Sequence, residues 1–269
     1  MGALLGLVQA DGARVALKVH TDRVQDDYLE AMQEVQERIW RRGFPCPRPL
    51  GVRGRATLEE WRDEGEYLDA HDPTVRRALA ELLARLVDAT HDLDSSPALH
   101  PFLPRSGEPL WPKPHNVLFD FEASAHDARW IDEIATAARS RRDAGPGDLV
   151  IGHHDWTVKH VRFGGLRPLV VYDWDSLSAD LEPVFVGEAA ATFTYTEHLP
   201  VELWPTVEEA QAFIGDYERA RGRPFTAAER GTARAAAVYT RAYSSRCVHA
   251  LGADTRSLSL EAYAQELLD

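Results

Sequence analysis

The chain is short of cysteine. Two residues, Cys46 and Cys247, stand far apart in 269 positions and outside any Cys-x-x-Cys or histidine-rich context. That excludes a disulfide framework and a zinc-ribbon site, and it sets the expectation of a reduced, cytoplasmic protein. No apolar run approaches the roughly 20 residues that span a bilayer. No basic segment precedes the short apolar stretch at the N-terminus, so no signal peptide is expected. Positive charge is scarce as well: 30 Lys and Arg face 43 Asp and Glu, for a net charge of −13. Nucleic acid is therefore not expected as a partner, because phosphate contacts need local basic surface. An acidic balance is compatible with a cationic small molecule drawn into a cleft. No Gly-x-Ser-x-Gly elbow is present, which sets aside a serine hydrolase of that type. There is no internal repeat, and nothing in the sequence sets an oligomeric state.

What is present is an ordinary globular pattern, 44% hydrophobic and 27% charged. Leu4 to Gln9 and Arg14 to Val19 flank Ala10-Asp11-Gly12, a strong hairpin signal. Tyr28 to Arg42 reads as a helix with one apolar stripe at Leu29, Met32, Val35 and Ile39, ended by Gly43. Phe44 to Pro49 runs extended, since proline disfavours helix before it. A strand is expected at Ala56 to Glu60, and Pro73 opens a helix to about His91. Ser95 to Pro114 reads as a proline-rich loop, and Arg129 to Arg142 as a helix. A hairpin is expected over Leu149 to Asp175. Helices follow at Val207 to Arg221, Ala227 to Ala250 and Leu260 to Leu268.

The most informative stretch is Gly152-His153-His154-Asp155-Trp156-Thr157-Val158-Lys159-His160, followed by Leu169-Val170-Val171-Tyr172 and Asp173-Trp174-Asp175. One Asp sits in a turn after an apolar run. A polar side chain lies 5 residues on, and a second Asp closes a buried strand 13 residues later. Phosphoryl transfer needs an acceptor for the attacking hydroxyl's proton and oxygen ligands for magnesium, and two such turns can bring these groups to one point. The pattern resembles the aminoglycoside phosphotransferase family, whose catalytic loop reads His-Gly-Asp-Leu-x-x-x-x-Asn and is followed by a strand ending in Ile-Asp-Trp. His153, Asp155 and Trp156 fall on the His, Asp and Leu positions. His154 replaces the Gly, and His160 replaces the Asn.

The resemblance implies a two-lobed, protein-kinase-like α+β fold. Residues 1–62 would form a small antiparallel-sheet lobe that binds nucleotide. Residues 63–269 would form a larger, mostly helical lobe for catalysis and acceptor binding. It implies ATP and Mg2+ as cofactors, or Mn2+. Asp155 would orient the hydroxyl, and His153 would brace the loop. Asp173 would hold the metal. Lys18, in Val15-Ala16-Leu17-Lys18-Val19, would grip the phosphates. Its partner glutamate would come from the following helix, as Glu34 or, one turn earlier, Glu30. Glu60, at the end of the strand before the second lobe, is placed on the nucleotide side with them.

His160 departs from the family. Magnesium prefers oxygen ligands, whereas imidazole suits softer metals. His160 binds manganese or a second-site metal, or Asp175 takes the metal while His160 contacts phosphate, or the second metal site is lost. A buried structural histidine is the plain alternative. The Gly-rich flap is the second departure. Only Gly2 and Gly6 stand near the start, and they form no G-x-G-x-x-G pattern. Either the sequence begins downstream of the flap, or the protein lacks it and binds ATP weakly. His115-Asn116-Val117-Leu118-Phe119-Asp120 imitates the end of the family's loop but lacks the preceding His-x-Asp, so it reads as structural, with His115 and Asp120 as lesser substrate-contact candidates. Asp180, Glu182, Glu188, Tyr195, Glu197 and Trp204 are candidates for the acceptor pocket, because carboxylates suit an amine and aromatic faces suit cations or sugar rings. The expected activity is ATP-dependent phosphorylation of a hydroxyl on an aminoglycoside-like, amino-alcohol or sugar-like molecule. The alternative is a catalytically impaired kinase-like protein that binds a ligand or partner.

Overall fold

The Asp-Gly signal forms its hairpin. Ala3–Val8 (β1) pairs antiparallel with Arg14–Val19 (β2), Ala3 opposite Val19. Gly12 takes φ 86, a left-handed conformation that glycine adopts without strain, and Asp11 Oδ1 accepts a hydrogen bond from the Ala13 amide at 3.0 Å. In this computed structural model the described residues are 2–21, 24–93, 96–255 and 258–269. Met1 and Ser95, the first residues of two segments read above, lie outside them.

Asp26–Arg41 (α1) buries Leu29, Met32, Val35 and Ile39, the stripe that its spacing predicts. Pro49–Arg53 (β3) and Ala56–Glu60 (β4) complete a four-stranded antiparallel sheet in the order β1-β2-β4-β3. β3 is not visible in the sequence pattern, because Pro49 and Gly51 are poor strand residues and its ladder carries an irregularity between them. In the β2–β4 register Lys18 stands opposite Thr57 and Ala16 opposite Glu59. The segment 61–72 leads from this sheet to the helices, and the boundary expected at 62/63 falls within it.

The remainder is mostly helical: Pro73–Thr90 (α2), Arg129–Ala144 (α3), Glu182–Thr192 (α4), Val207–Ala220 (α5), Ala227–Ala250 (α6) and Leu260–Leu268 (α7). Asp72 caps α2 by accepting from the Thr74 amide at 2.7 Å, with Pro73 at the first position. Thr206 and Thr226 open α5 and α6 with capping boxes closed by Glu209 and Glu229. The expected single hairpin over 149–175 is instead two ladders. Leu149–His153 (β5) pairs with Leu177–Leu181 (β8), while Val161–Gly164 (β6) pairs with Arg167–Val171 (β7). The chain reverses at Asp173, and Leu177 returns opposite His153. Among the described residues no helix is long and apolar enough to cross a membrane.

α4 left no signal in the sequence because it is buried on every side. Val184, Phe185, Val186 and Ala189 to Ala191 are all inside, so there is no stripe to read. It lies against α6 at Gly187, where an added Cβ would meet the Ala233 carbonyl oxygen at 2.1 Å. Gly187→Ala should therefore cost about 1–3 kcal/mol, the scale of overpacking in a filled core. Thermal melting checks this, and an unchanged midpoint would mean that the two helices have room to part.

Candidate active site

Two turns, each leaving the end of a strand, build the centre. β5 ends at His153, which is fully buried, and Asp155 follows in the turn. Trp156 anchors that turn by donating its indole N–H to the Leu79 carbonyl on α2 at 3.1 Å. β7 leads to Asp173, which takes φ 65 and ψ 46. A non-glycine residue in the left-handed region usually stands where surrounding structure over-determines it, and functional turns are common cases. Trp174 closes the turn by donating to the Val171 carbonyl at 2.9 Å.

His153 ties the two turns together. Its Nε2–H donates to the Tyr172 carbonyl at 3.3 Å, and its ring meets Trp156 and Trp174 edge-on, with centroids 5.7 and 5.8 Å away. Burial, with the charge of His160 beside it, lowers its pKa to about 3, so the ring is neutral. It supports the residue before Asp173.

Asp155 and His160 are in direct contact: His160 Nε2 lies 2.9 Å from Asp155 Oδ2. Lys159 Nζ reaches the same oxygen at 3.2 Å. Burial opposes ionisation of Asp155. The His160 hydrogen bond and the charges of His160 and Lys159 outweigh it and hold the carboxyl below the ordinary carboxylate range. His160 Nε2 also stands 3.7 Å from Asp173 Oδ2. Ligand atoms of Asp155, His160 and Asp173 all lie within 4.8 Å of one another. Two carboxylates and one imidazole at this separation suit a single divalent cation, and the nitrogen donor widens the choice beyond magnesium.

Lys18 arrives from β2. Its ammonium lies 2.6 Å from Asp173 Oδ1 and 2.6 Å from Asp175 Oδ1. Burial works against its charge, but the two carboxylates prevail and raise its pKa. Asp175 is held below the ordinary carboxylate range. Burial opposes this, and the His20 hydrogen bond and Lys18 overcome it. His20 Nδ1 lies 3.5 Å from Asp175 Oδ2, and its Nε2 lies 3.0 Å from the Thr57 hydroxyl. Tyr28 on α1 donates its hydroxyl to the carbonyls of Asp175 and Leu177 at 2.7 and 2.9 Å, which fixes α1 to this turn.

Two expected nucleotide-side residues stand elsewhere. Glu34 is exposed on α1 and does not meet Lys18, and Glu30 is exposed as well. At 100° per residue Glu34 lies about 200° around the helix from Gln36, the polar residue that α1 turns inward. Gln36 Nε2 donates to the Pro47 carbonyl and to Glu59 Oε2, both at 3.1 Å. Glu60 is exposed too. Strand side chains alternate faces, so its neighbour Glu59 shares the face of Lys18. Gln36, Glu59, Tyr28 and His20 were not singled out from sequence. A register for β2 against β4 would have found Glu59 and His20, but no local motif marks them.

The acidic acceptor candidates are mostly spent on internal structure. Asp180 is buried and paired with Arg105. Glu182 accepts from the Tyr217 hydroxyl at 2.7 Å and pairs with Arg221 at 2.8 Å, in a cleft between α2, β5 and α5. Glu188 is buried on α4, where burial favours its neutral form. Tyr195 is near the centre: Lys159 Nζ lies 5.0 Å from its ring centroid, Glu197 accepts from its hydroxyl at 2.9 Å, and Trp204 packs against it at 5.3 Å. On the other flank Phe102 stacks on His154 with centroids 4.1 Å apart. His115 Nδ1 lies 3.0 Å from the Tyr243 hydroxyl, with burial lowering its basicity and the charge of Asp155 opposing that. Asp120 caps a surface turn by accepting from the Ala123 amide at 2.9 Å.

No family model matches the chain, and no curated protein does. Solved structures do. An amicoumacin kinase in complex with AMP-PNP, Ca2+ and Ami superposes with a TM-score of 0.68 at 13% identity, over 100% of this chain and 85% of that one. An ethanolamine kinase from Plasmodium vivax gives 0.59 at 11% identity, over 98% and 78%. An aminoglycoside phosphotransferase from Alicyclobacillus acidocaldarius gives 0.54 at 14%, over 98% and 86%. A small antiparallel sheet with one helix, a mostly helical remainder and full-length superposition on such enzymes establish that the chain has the protein-kinase-like α+β fold of the small-molecule kinases and aminoglycoside phosphotransferases.

Proposed function

We propose that the protein is an ATP-dependent phosphotransferase that acts on a hydroxyl group of a small molecule. The convergence of Lys18, Asp173, His160 and Asp155 on one point carries this reading: a cation for phosphate, a donor set for a divalent metal and an ionised carboxylate lie side by side. The AMP-PNP and Ca2+ of the amicoumacin kinase complex support nucleotide and divalent metal as the ligand classes for such a fold.

In this reading Asp173 and His160 hold the metal, with Asp175 behind them. The metal neutralises phosphate charge when bound. Lys18 turns from the aspartates to the phosphates. Asp155 uses Oδ2 on His160 and Lys159 and presents Oδ1 to the attacking hydroxyl. Most of the rate gain comes from positioning and charge neutralisation. The acceptor lies between the Phe102–His154 stack and the Tyr195 side. Aromatic faces there suit a cationic or ring-bearing acceptor such as an amino-alcohol, amino sugar or sugar. The test is a coupled assay of ATP consumption against a library of hydroxyl compounds. Acceptor-dependent ADP release that vanishes in Asp155→Asn is the expected result; none across amine- and ring-bearing alcohols would count against the reading.

One observation favours a second reading. Lys18 sits 2.6 Å from both Asp173 and Asp175, so the phosphate lysine and the metal carboxylates neutralise each other. A protein fixed in that arrangement binds a ligand without phosphotransfer. It would give ligand-dependent thermal shifts without any response to nucleotide and metal.

The position of His160 predicts a metal preference. Wild type should work better with Mn2+ than with Mg2+, because imidazole suits the softer ion. His160→Asn supplies an oxygen and should move the preference toward Mg2+. Rates with each metal, measured in both proteins, decide it; an identical ratio would remove His160 from the metal site.

A further inference from the structure

A kinase-like lysine needs a carboxylate behind it once phosphate is bound, and that carboxylate usually comes from the helix after its strand. Here α1 offers none on the correct side, since Glu30 and Glu34 are exposed. What α1 turns inward is Gln36, only 3% exposed. Its amide reaches Glu59 Oε2 at 3.1 Å. Glu59 stands on β4 opposite Ala16, and Lys18 stands opposite Thr57. Glu59 and Lys18 are thus diagonal neighbours on one sheet face, with backbones roughly 7–8 Å apart and within reach of long side chains. Burial raises the pKa of Glu59, while the Gln36 hydrogen bond and the charge of Lys18 act against that rise.

Resting on the phosphotransferase reading, we propose that Glu59, held by Gln36, is the residue that positions Lys18 when nucleotide and metal occupy the site. The physical reason is competition for Asp173. A divalent cation on Asp173 repels the ammonium that now lies 2.6 Å from that carboxylate. Lys18 then needs another negative neighbour while it faces the phosphates. Glu59 can serve through side-chain rotation alone, because the β2–β4 register already places it beside Lys18. The lysine alternates between two sets of carboxylates, and the helix contributes an amide that orients the second set.

Calorimetric titration with AMP-PNP in the presence of Mg2+ or Mn2+ tests this. Glu59→Gln preserves volume and an oxygen for Gln36, so the fold should persist. It should weaken nucleotide affinity by roughly tenfold, the scale of coupling between contacting charged groups. Glu34→Ala should leave affinity unchanged. In a Lys18→Met background, Glu59→Gln should have no further effect, whereas a merely structural Glu59 would lower affinity by the same factor in both backgrounds. If Glu59→Gln does not fold, Gln36→Met in the two backgrounds carries the same comparison, with a smaller loss in the same direction. Unchanged affinity in the folded variant, or equal losses with and without Lys18, would overturn the role of Glu59 and leave the phosphotransferase reading standing. Wild type that binds AMP-PNP with neither metal would overturn both, a result distinct from wild type that binds and ignores Glu59.

Discussion

Replacing Asp155 by Asn should lower turnover by about 10²-fold or more, the usual scale for a positioned proton acceptor, while nucleotide binding and the fold persist. The geometry makes the loss specific. Asn keeps the volume and leaves the Trp156 anchor on α2 intact. It also keeps an oxygen for His160. What disappears is the charge that His160 and Lys159 hold in place, and with it the group that accepts the hydroxyl's hydrogen as the oxygen attacks. Asp155 is a metal ligand candidate as well, since its oxygen lies within 4.8 Å of the His160 and Asp173 donors. The two roles separate in the measurement. A pure acceptor role lowers kcat and leaves KM for ATP near its wild-type value. A shared metal role also weakens metal-dependent nucleotide binding. The assay uses whichever hydroxyl compound gives the fastest ATP consumption in wild type. Near-wild-type turnover in the folded variant would remove Asp155 from the mechanism.

The centre of the site was legible because its chemistry is local in sequence. Asp155, His160 and Asp173 lie within 19 residues, and their spacing alone places them on two turns of one compact unit. Lys18 was legible from the apolar strand around it. The supporting residues were not, because they depend on relations that a single sequence does not display. Glu34 was chosen by its distance from the end of the helix, yet the rotation of α1 is fixed by Leu29, Val35 and Ile39, and that rotation turns Gln36 inward. Glu60 missed by one residue, and in a strand one residue is the opposite face. Glu59 is the inward one because β4 is registered against β2. The acidic acceptor candidates failed for a different reason. Asp180 and Glu182 read as free charges in a sequence, but Arg105 and Arg221 come from segments far away to pair with them. α4 was invisible because full burial erases the stripe from which helices are read.

Replacing Asp173 by Asn should abolish metal-dependent nucleotide binding and leave a folded protein. Asn is the right substitution at this backbone. Residue 173 takes φ 65, and Asn tolerates the left-handed region far better than other non-glycine residues, whereas Ala would add strain to the loss of charge. In the empty protein Asp173 shares Lys18 with Asp175, so the variant keeps one carboxylate at 2.6 Å for the ammonium and loses little packing. The side chains around it are half-exposed, so the stability change should be small, within about 1 kcal/mol. Metal binding has no such reserve. Without Asp173 the donor set is reduced to Asp155 and His160, which already satisfy each other at 2.9 Å. Titration with AMP-PNP and Mg2+ or Mn2+, run beside thermal melting, separates the two effects. A melting curve near that of wild type with no metal-dependent heat is the expected result. Unchanged metal-dependent affinity would mean that Asp173 serves only as a salt-bridge partner of Lys18, and the metal would then have to be sought at Asp175, where Lys18 and His20 are the nearest competing cations.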